Sequence, residues 1–183
     1  MKIELGGGTR PCGNGFLNVD MCESADICCN LDETPWPIDA NAVTEIYSSH
    51  CLEHLKNPFA ALLEITRIAQ VGAMVVIRVP DALSEGAMIP GHHSVLSEVY
   101  FRNLLEHFPD PKWKELGKIL AITEIISLPD YTWFPKARQS RLFKDWTDEE
   151  IMDWVPRTCH EREFRFRAVE NLGVAISSAT EVA

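Results

Sequence analysis

The chain has little that would carry it into a membrane or onto a polyanion. Lys and Arg number 17 against 27 Asp and Glu, a formal charge of −10, so the cationic surface that nucleic acid or an anionic membrane demands is missing. The longest nearly uncharged apolar run, Ala69 to Ile77, falls far short of the roughly 20 residues of a membrane-spanning helix. No charged-then-apolar signal pattern opens the chain, and a cytoplasmic protein is expected. The six cysteines contain no C-x-x-C pair, which argues against a zinc site or a disulfide framework. Cys12, Cys22 and Cys28 could gather around a metal, but buried apolar thiols are expected instead, with Cys28 and Cys29 on opposite faces of a strand. No metal site is expected. Repeats and low-complexity segments are also lacking.

What is present is 183 residues, 46% of them hydrophobic, enough for one globular domain spanning 1–183. The pattern alternates strands and helices. Lys2 to Leu5 runs straight into Gly6, Gly7 and Gly8; Phe16 to Val19 ends at Asp20; Asp26 to Cys29 ends at Asn30; Val43 to Ser49 ends at His50. Asn57 and Pro58 open a helix over 58–69, Asn as cap and Pro in the first turn. Ala73 to Val79 reads as a buried central strand. Ser97 to Phe108 reads as a helix with Val99, Tyr100, Leu104, Leu105 and Phe108 on one face, and Ile119 to Leu128 as a strand. Thr147 and Glu150 form a capping box before Ile151, and Glu161 to Val169 alternates as a half-buried strand. The aromatic- and proline-bearing stretch 129–160 is expected to be a folded insertion or lid. An open, mostly parallel α/β sheet follows.

In such a sheet, ligands bind beyond the carboxyl ends of the strands. The glycine turn at 6–8 would let a ligand approach backbone amides. Asp20 is placed to accept two ribose hydroxyls, and Asn30 with Leu31 offers an acceptor and an amide to an adenine edge. Each signal is weak alone, since turn chemistry uses the same residues.

In combination, Glu4-Leu5-Gly6-Gly7-Gly8, Asn18-Val19-Asp20, Asn30-Leu31 with Thr34-Pro35-Trp36, Ile46 through Leu55 and Val71-Gly72 resemble the class I S-adenosylmethionine-dependent methyltransferases, within them the type 11 small-molecule group. The resemblance covers about residues 2–81, and the segment from His50 to Leu55 is its most specific piece. It implies a Rossmann-like sheet, mostly parallel with an antiparallel strand, and S-adenosyl-L-methionine as cofactor. Glu4 and Gly6 to Gly8 would wrap the methionine, Asp20 would hold the ribose, Met21 would pack on the adenine, and backbone at Ser49 and His50 would meet the methionine amino group. Arg10 replaces the pattern's third glycine and either pairs with the methionine carboxylate or is a solvated loop residue. Asp20 lies only twelve positions after Gly8, too few for the usual first helix, which is expected to be shortened or missing. A homo-oligomer or the aromatic insertion would then cover the open side.

On the acceptor side, Ser49-His50-Cys51-Leu52 is unlike the loop of nucleic-acid amino methyltransferases, so a small-molecule acceptor, methylated on oxygen or nitrogen, is expected. His93 is the first candidate base and His50 the second. His54 is expected to start a helix in a structural role. Tyr131, Trp133 and Phe134 could wall an acceptor pocket, and Arg138, Arg141 and Lys144 could bind an acidic acceptor or form a solvated face. Two other readings stay open: a catalytically silent cofactor-binding or partner-regulating protein of the same fold, and a nicotinamide oxidoreductase. Pro11, where the dinucleotide pattern wants its third glycine, weakens the latter.

Overall fold

The computed structural model describes residues 1–129, 134–140, 142, 144–154 and 159–171. Seven strands, β1 (Lys2–Leu5), β2 (Leu17–Asp20), β3 (Ile27–Cys28), β4 (Val43–Ser49), β5 (Ala69–Pro80), β6 (Lys118–Pro129) and β7 (Cys159–Glu170), form one sheet. Their order is β3-β2-β1-β4-β5-β7-β6. The first five strands pair in parallel, while β7 runs antiparallel to both β5 and β6. Chain order reverses direction across the sheet between β1 and β4, which puts the ligand-binding crevice beside the ends of those two strands.

The register separates two faces. Ile3, Ile46, Val75 and Phe166 lie in one row, and Leu5, Ser48, Ile77 and Phe164 in the next, all buried. Helix α1 (Pro58–Ile68) adds Leu62, Ile65 and Ile68 to this core. Asn57 accepts the Ala60 N–H at 3.1 Å and Pro58 fills the first turn, as the sequence predicts. On the other face the rows are Lys2, Glu45, Met74 and Arg167, then Glu4, Tyr47, Val76 and Arg165. Ion pairs lace this face, among them Lys2–Glu45 at 2.7 Å and Arg78–Glu163 at 2.6 Å.

That second face is partly open because no helix connects β1 to β2, β2 to β3 or β3 to β4. The shortened first crossover read from the sequence is therefore a helix-free one. Strand β5 is correspondingly not buried on both sides: Val75, Ile77 and Val79 are buried while Met74, Val76 and Arg78 are half-buried. In place of helical bonds, residues 6–12 lean on side-chain acceptors and one side-chain donor, since sheltered backbone groups need partners. Asn18 Oδ1 accepts the Gly7 N–H at 3.1 Å, Asn18 Nδ2 donates to the Gly8 carbonyl at 2.9 Å, and Glu4 Oε2 accepts the Cys12 N–H at 2.6 Å.

A second clamp holds the irregular stretch before β4. Glu64 on α1 accepts the Trp36 N–H at 2.7 Å and two bonds from Arg67, which also donates to the Ile38 and Trp36 carbonyls. Burial pushes the Glu64 carboxyl up, but the Arg67 and Trp36 bonds outweigh it and hold its pKa below the usual carboxylate value.

The predicted helix over 97–108 breaks in two. Helix α2 (Glu98–Arg102) passes into a single wider π turn, Asn103–His107. Phe101 and Leu105, one α-helical turn apart, are buried while Val99 and Phe108 are exposed. Phe101 meets Phe164 and Phe166 with ring centroids 4.5 and 5.3 Å away. Helix α3 (Pro111–Glu115), capped by Asp110, carries the fully buried Trp113 and was not legible in the pattern.

Within the stretch 129–160, two short helices are described, α4 (Phe134–Arg138) and α5 (Asp148–Trp154). The capping box forms as read: Glu150 Oε2 accepts the Thr147 N–H at 2.7 Å and Thr147 Oγ1 accepts the Glu150 N–H at 3.1 Å. Strands β6 and β7 bracket this stretch with paired registers. No helix among the described residues is long and apolar enough to cross a membrane.

Candidate active site

A cavity of about 260 Å³ opens beyond the ends of β1, β2 and β4. Gly6, Asp20, Met21, Asn30, Leu31 and His50 line it, joined by Cys29, Asp32, Cys51, His54 and Leu55. Six of the residues singled out in the sequence therefore converge on one crevice, from strands far apart in the chain.

Asp20 ends β2 with its carboxylate already oriented. Oδ2 accepts the Gly8 N–H and Oδ1 the Cys22 N–H, both at 2.9 Å. Each carboxylate oxygen has a second lone pair, so Asp20 can be both the turn residue that holds the glycine loop and an acceptor for a ligand's hydroxyl pair. Gly6 is needed for a different reason than ligand approach. It has φ +72°, and a Cβ there would stand 2.6 Å from the Cβ of Cys51. The missing side chain lets the β1 turn close against the end of β4.

The remaining predicted contacts are displaced from the cavity. Gly7, Gly8, Arg10 and Ser49 do not line it. Glu4 is buried and held on the Cys12 amide, and Arg10 is exposed. The Asn30 side chain is engaged locally, donating to Glu33 Oε1 at 2.8 Å and accepting the Asp32 N–H at 3.1 Å. Leu31 accepts Trp36 Nε1 through its carbonyl, and Met21 lies on the cavity rim, 70% exposed. Asp32, whose Oδ1 accepts the Lys56 N–H at 2.8 Å, adds a second carboxylate that the sequence pattern did not single out.

The cysteine expectation is corrected in part. Cys29, Cys51 and Cys159 are buried, but Cys12 and Cys28 are exposed and Cys22 is half-buried, because no helix covers the loops of Cys12 and Cys22 or the short strand β3 that carries Cys28. Burial, reinforced by nearby Glu53 and Asp20, pushes the Cys51 thiol to about 12, so it is no nucleophile.

His50 caps the end of β4 in left-handed backbone, φ +51°. Its Nδ1 stands 3.2 Å from Glu53 Oε1 and its Nε2 3.1 Å from Glu161 Oε1. The Glu53 contact raises its pKa most; burial opposes this and Glu161 reinforces it. Both nitrogens facing carboxylates favour the imidazolium, which has no lone pair for a proton. His93 is exposed and does not line the cavity; its N–H and that of Ser94 are donated to the Glu53 carbonyl at 2.8 and 3.4 Å. The neighbouring His92 is the inward one, its ring edge-on to His54 at 4.5 Å. His54 does not start a long helix but ends the single turn Leu52–His54. A carboxylate oxygen of Glu53 and one ring nitrogen each of His54 and His92 lie within 4.8 Å of one another. The signal in the sequence was H-x-x-E-H at 50–54 followed by His-His at 92–93.

Of the aromatic and basic insertion residues, Tyr131, Trp133 and Arg141 lie outside the described residues. Phe134 is half-buried on α4, away from the cavity. Arg138 pairs with Asp148 at 2.9 Å, and Lys144 lies exposed beside Asp145 at 3.8 Å.

No protein-family model matches the chain, and comparison with curated proteins finds no match. Solved structures do match. One is the protein assigned as a methyltransferase in the complex with the Haloferax volcanii Trm112 methyltransferase activator, with TM-score 0.57, 18% identity and coverage of 92% of this chain and 81% of that one. An S-adenosylmethionine-dependent methyltransferase from Mesorhizobium loti gives 0.53 at 12% identity, covering 90% and 89%. The [4+2]-cyclase SpnF gives 0.54 at 10% identity, covering 90% and 73%. The sheet order, the strand-end cavity and these likenesses define the fold as that of the class I S-adenosylmethionine-dependent methyltransferases. The fold locates the site; it does not choose the reaction.

Proposed function

We propose that the chain is an S-adenosyl-L-methionine-dependent methyltransferase acting on oxygen or nitrogen of a small-molecule acceptor. The observation that carries this reading is the Asp20 carboxylate, fixed by two backbone bonds at the rim of a cavity that Gly6, Leu31 and His50 also line. The ribose would lie on Asp20, the adenine between Met21 and Leu31, and the methionine end toward Gly6 and His50. Asp20 and Asp32, which line the cavity, give the sulfonium cation a favourable potential. Methyl transfer is an in-line displacement that needs positioning more than covalent help, so the partly apolar walls from Leu31, Cys51 and Leu55 suit it. The acidic net charge accords with a small acceptor in place of nucleic acid.

A catalytically silent cofactor-binding protein is the second reading, favoured by the missing helix over residues 6–16. Calorimetric titration with S-adenosylmethionine and S-adenosylhomocysteine, beside NAD, tests the cofactor. Saturable binding of the first two without NAD supports the cofactor assignment, and methyl transfer to a screened acceptor then separates the enzyme from the silent protein. A folded protein that binds neither refutes both readings.

A further inference from the structure

We infer that Glu53, His54 and His92 form a binding site for one divalent transition-metal ion, of the zinc, cobalt or manganese type, with an open coordination position toward the cavity. One carboxylate oxygen and two imidazole nitrogens already stand within 4.8 Å of one another. Around a tetrahedral zinc ion at about 2.0–2.1 Å from each ligand, such atoms lie roughly 3.3 Å apart. Metal binding would draw the three ligand atoms together by side-chain rotation.

Three features distinguish this cluster from an ordinary polar patch. The Glu53 side chain is 2% exposed; its Oε1 has the His50 imidazolium at 3.2 Å, while its buried Oε2 has no hydrogen-bond partner. Buried carboxylates are normally paired, hydrogen-bonded or bound to a metal. His92 Nδ1 is likewise buried without a partner. His54 Nδ1 lies 3.2 Å from the Gly91 carbonyl, which can only accept, so this nitrogen carries the proton and Nε2 keeps the lone pair. A backbone carbonyl fixing the tautomer in this way is the usual outer support of a metal-binding histidine.

The backbone also fixes the approach of the two segments. The Glu53 carbonyl accepts the N–H of His93 and of Ser94, so the residue carrying the carboxylate anchors the loop carrying His92. His54 lines the cavity together with Asp20 and His50. Three protein ligands leave a fourth position for water or a ligand, as in catalytic zinc sites. Metal binding stands on this geometry alone, whereas the role that follows rests on the methyltransferase reading. A metal at this edge would bind an acceptor hydroxyl and lower its pKa. The O–H proton passes to solvent, the oxygen lone pair forms the new C–O bond, and the methyl–sulfur bond breaks with its electron pair staying on sulfur.

The test titrates metal-stripped full-length protein with Co²⁺, followed by visible absorption, and with Zn²⁺, followed by calorimetry. One ion per chain, with d–d bands of nitrogen and oxygen ligation, is expected. His54→Ala and His92→Ala should each weaken binding at least about tenfold, while His93→Ala and the triple Cys12→Ser, Cys22→Ser, Cys28→Ser variant should bind like the parent. Circular dichroism establishes that each variant is folded. If a histidine variant fails to fold, a Zn²⁺-dependent rise in the parent's melting temperature, kept in the cysteine variant, serves in its place. Undiminished Co²⁺ binding by the folded His54→Ala/His92→Ala double variant, loss of binding in the cysteine variant, or no binding by the parent overturns the site. S-adenosylhomocysteine titration of the parent separates the two ideas: metal without nucleoside refutes the methyltransferase reading, and nucleoside without metal refutes this one.

Discussion

Replacing Asp20 by Ala should do two separable things. The Asp20 carboxylate accepts the N–H groups of Gly8 and Cys22, both at 2.9 Å, and losing two such bonds at about 1 kcal/mol each lowers stability by roughly 1–3 kcal/mol. It also removes the acceptors for the ribose hydroxyls, worth about 1–3 kcal/mol more, or roughly 5- to 150-fold in the dissociation constant for S-adenosylhomocysteine. Urea unfolding measures the first and calorimetry below the unfolding transition the second. Asp26→Ala is the control. Asp26 Oδ2 accepts the Asn18 N–H at 2.8 Å from outside the cavity, so that variant should lose stability and keep affinity. Asp20→Asn keeps the shape but sets an amide donor against one of two N–H donors, and should fall between parent and Ala in both assays. Unchanged S-adenosylhomocysteine affinity in folded Asp20→Ala would refute the ribose assignment. An equal affinity loss in Asp26→Ala would show that loop integrity, and not the Asp20 carboxylate, governs binding.

Gly6→Ala combines left-handed backbone with a Cβ 2.6 Å from that of Cys51, and should cost about 2–5 kcal/mol. Gly8→Ala, at φ +55° in open space, should cost only about 1 kcal/mol; urea midpoints that rank the two alike would contradict this. The native pKa of Glu64 is lowered, so its contribution is complete above the unfolded carboxylate pKa and fades as pH falls through the lower native value. Glu64→Gln should flatten the acid limb of the stability–pH curve, and an unaltered limb would assign it to other carboxylates. Phe101→Ala removes a fully buried ring packed on Phe164 and Phe166 and should cost about 3–5 kcal/mol in urea unfolding. With an acceptor identified, His93→Ala should leave turnover unchanged because its side chain is exposed outside the cavity; a large loss would restore it as the base.

The short-range pattern determined much of this protein. Strand ends at Leu5, Asp20 and Ser49, the start of α1 at Asn57 and Pro58, and the Thr147–Glu150 cap were legible because each depends on neighbours within a turn or along one strand. The missing first helix was legible too, since the eleven residues between Gly8 and Asp20 leave no room for it. The burial pattern of β7 followed from its alternation. The helix over 97–108 misled because its buried face is set by β7: Phe101, off the expected stripe, packs on Phe164 and Phe166, while Val99 and Phe108 are exposed.

Other features were decided only when the strands took their order and register. Gly6 answers to Cys51, Gly7 to Asn18, and Trp36 to Glu64, partners 45, 11 and 28 positions away. His92 meets His54 and Glu53 because a loop after β5 is tied back to the Glu53 carbonyl, while the adjacent His93 faces solvent. Sequence spacing sets which residues leave the end of a strand. Which side chains then face one another depends on the packing of segments that the sequence separates, and the local pattern carries no record of it.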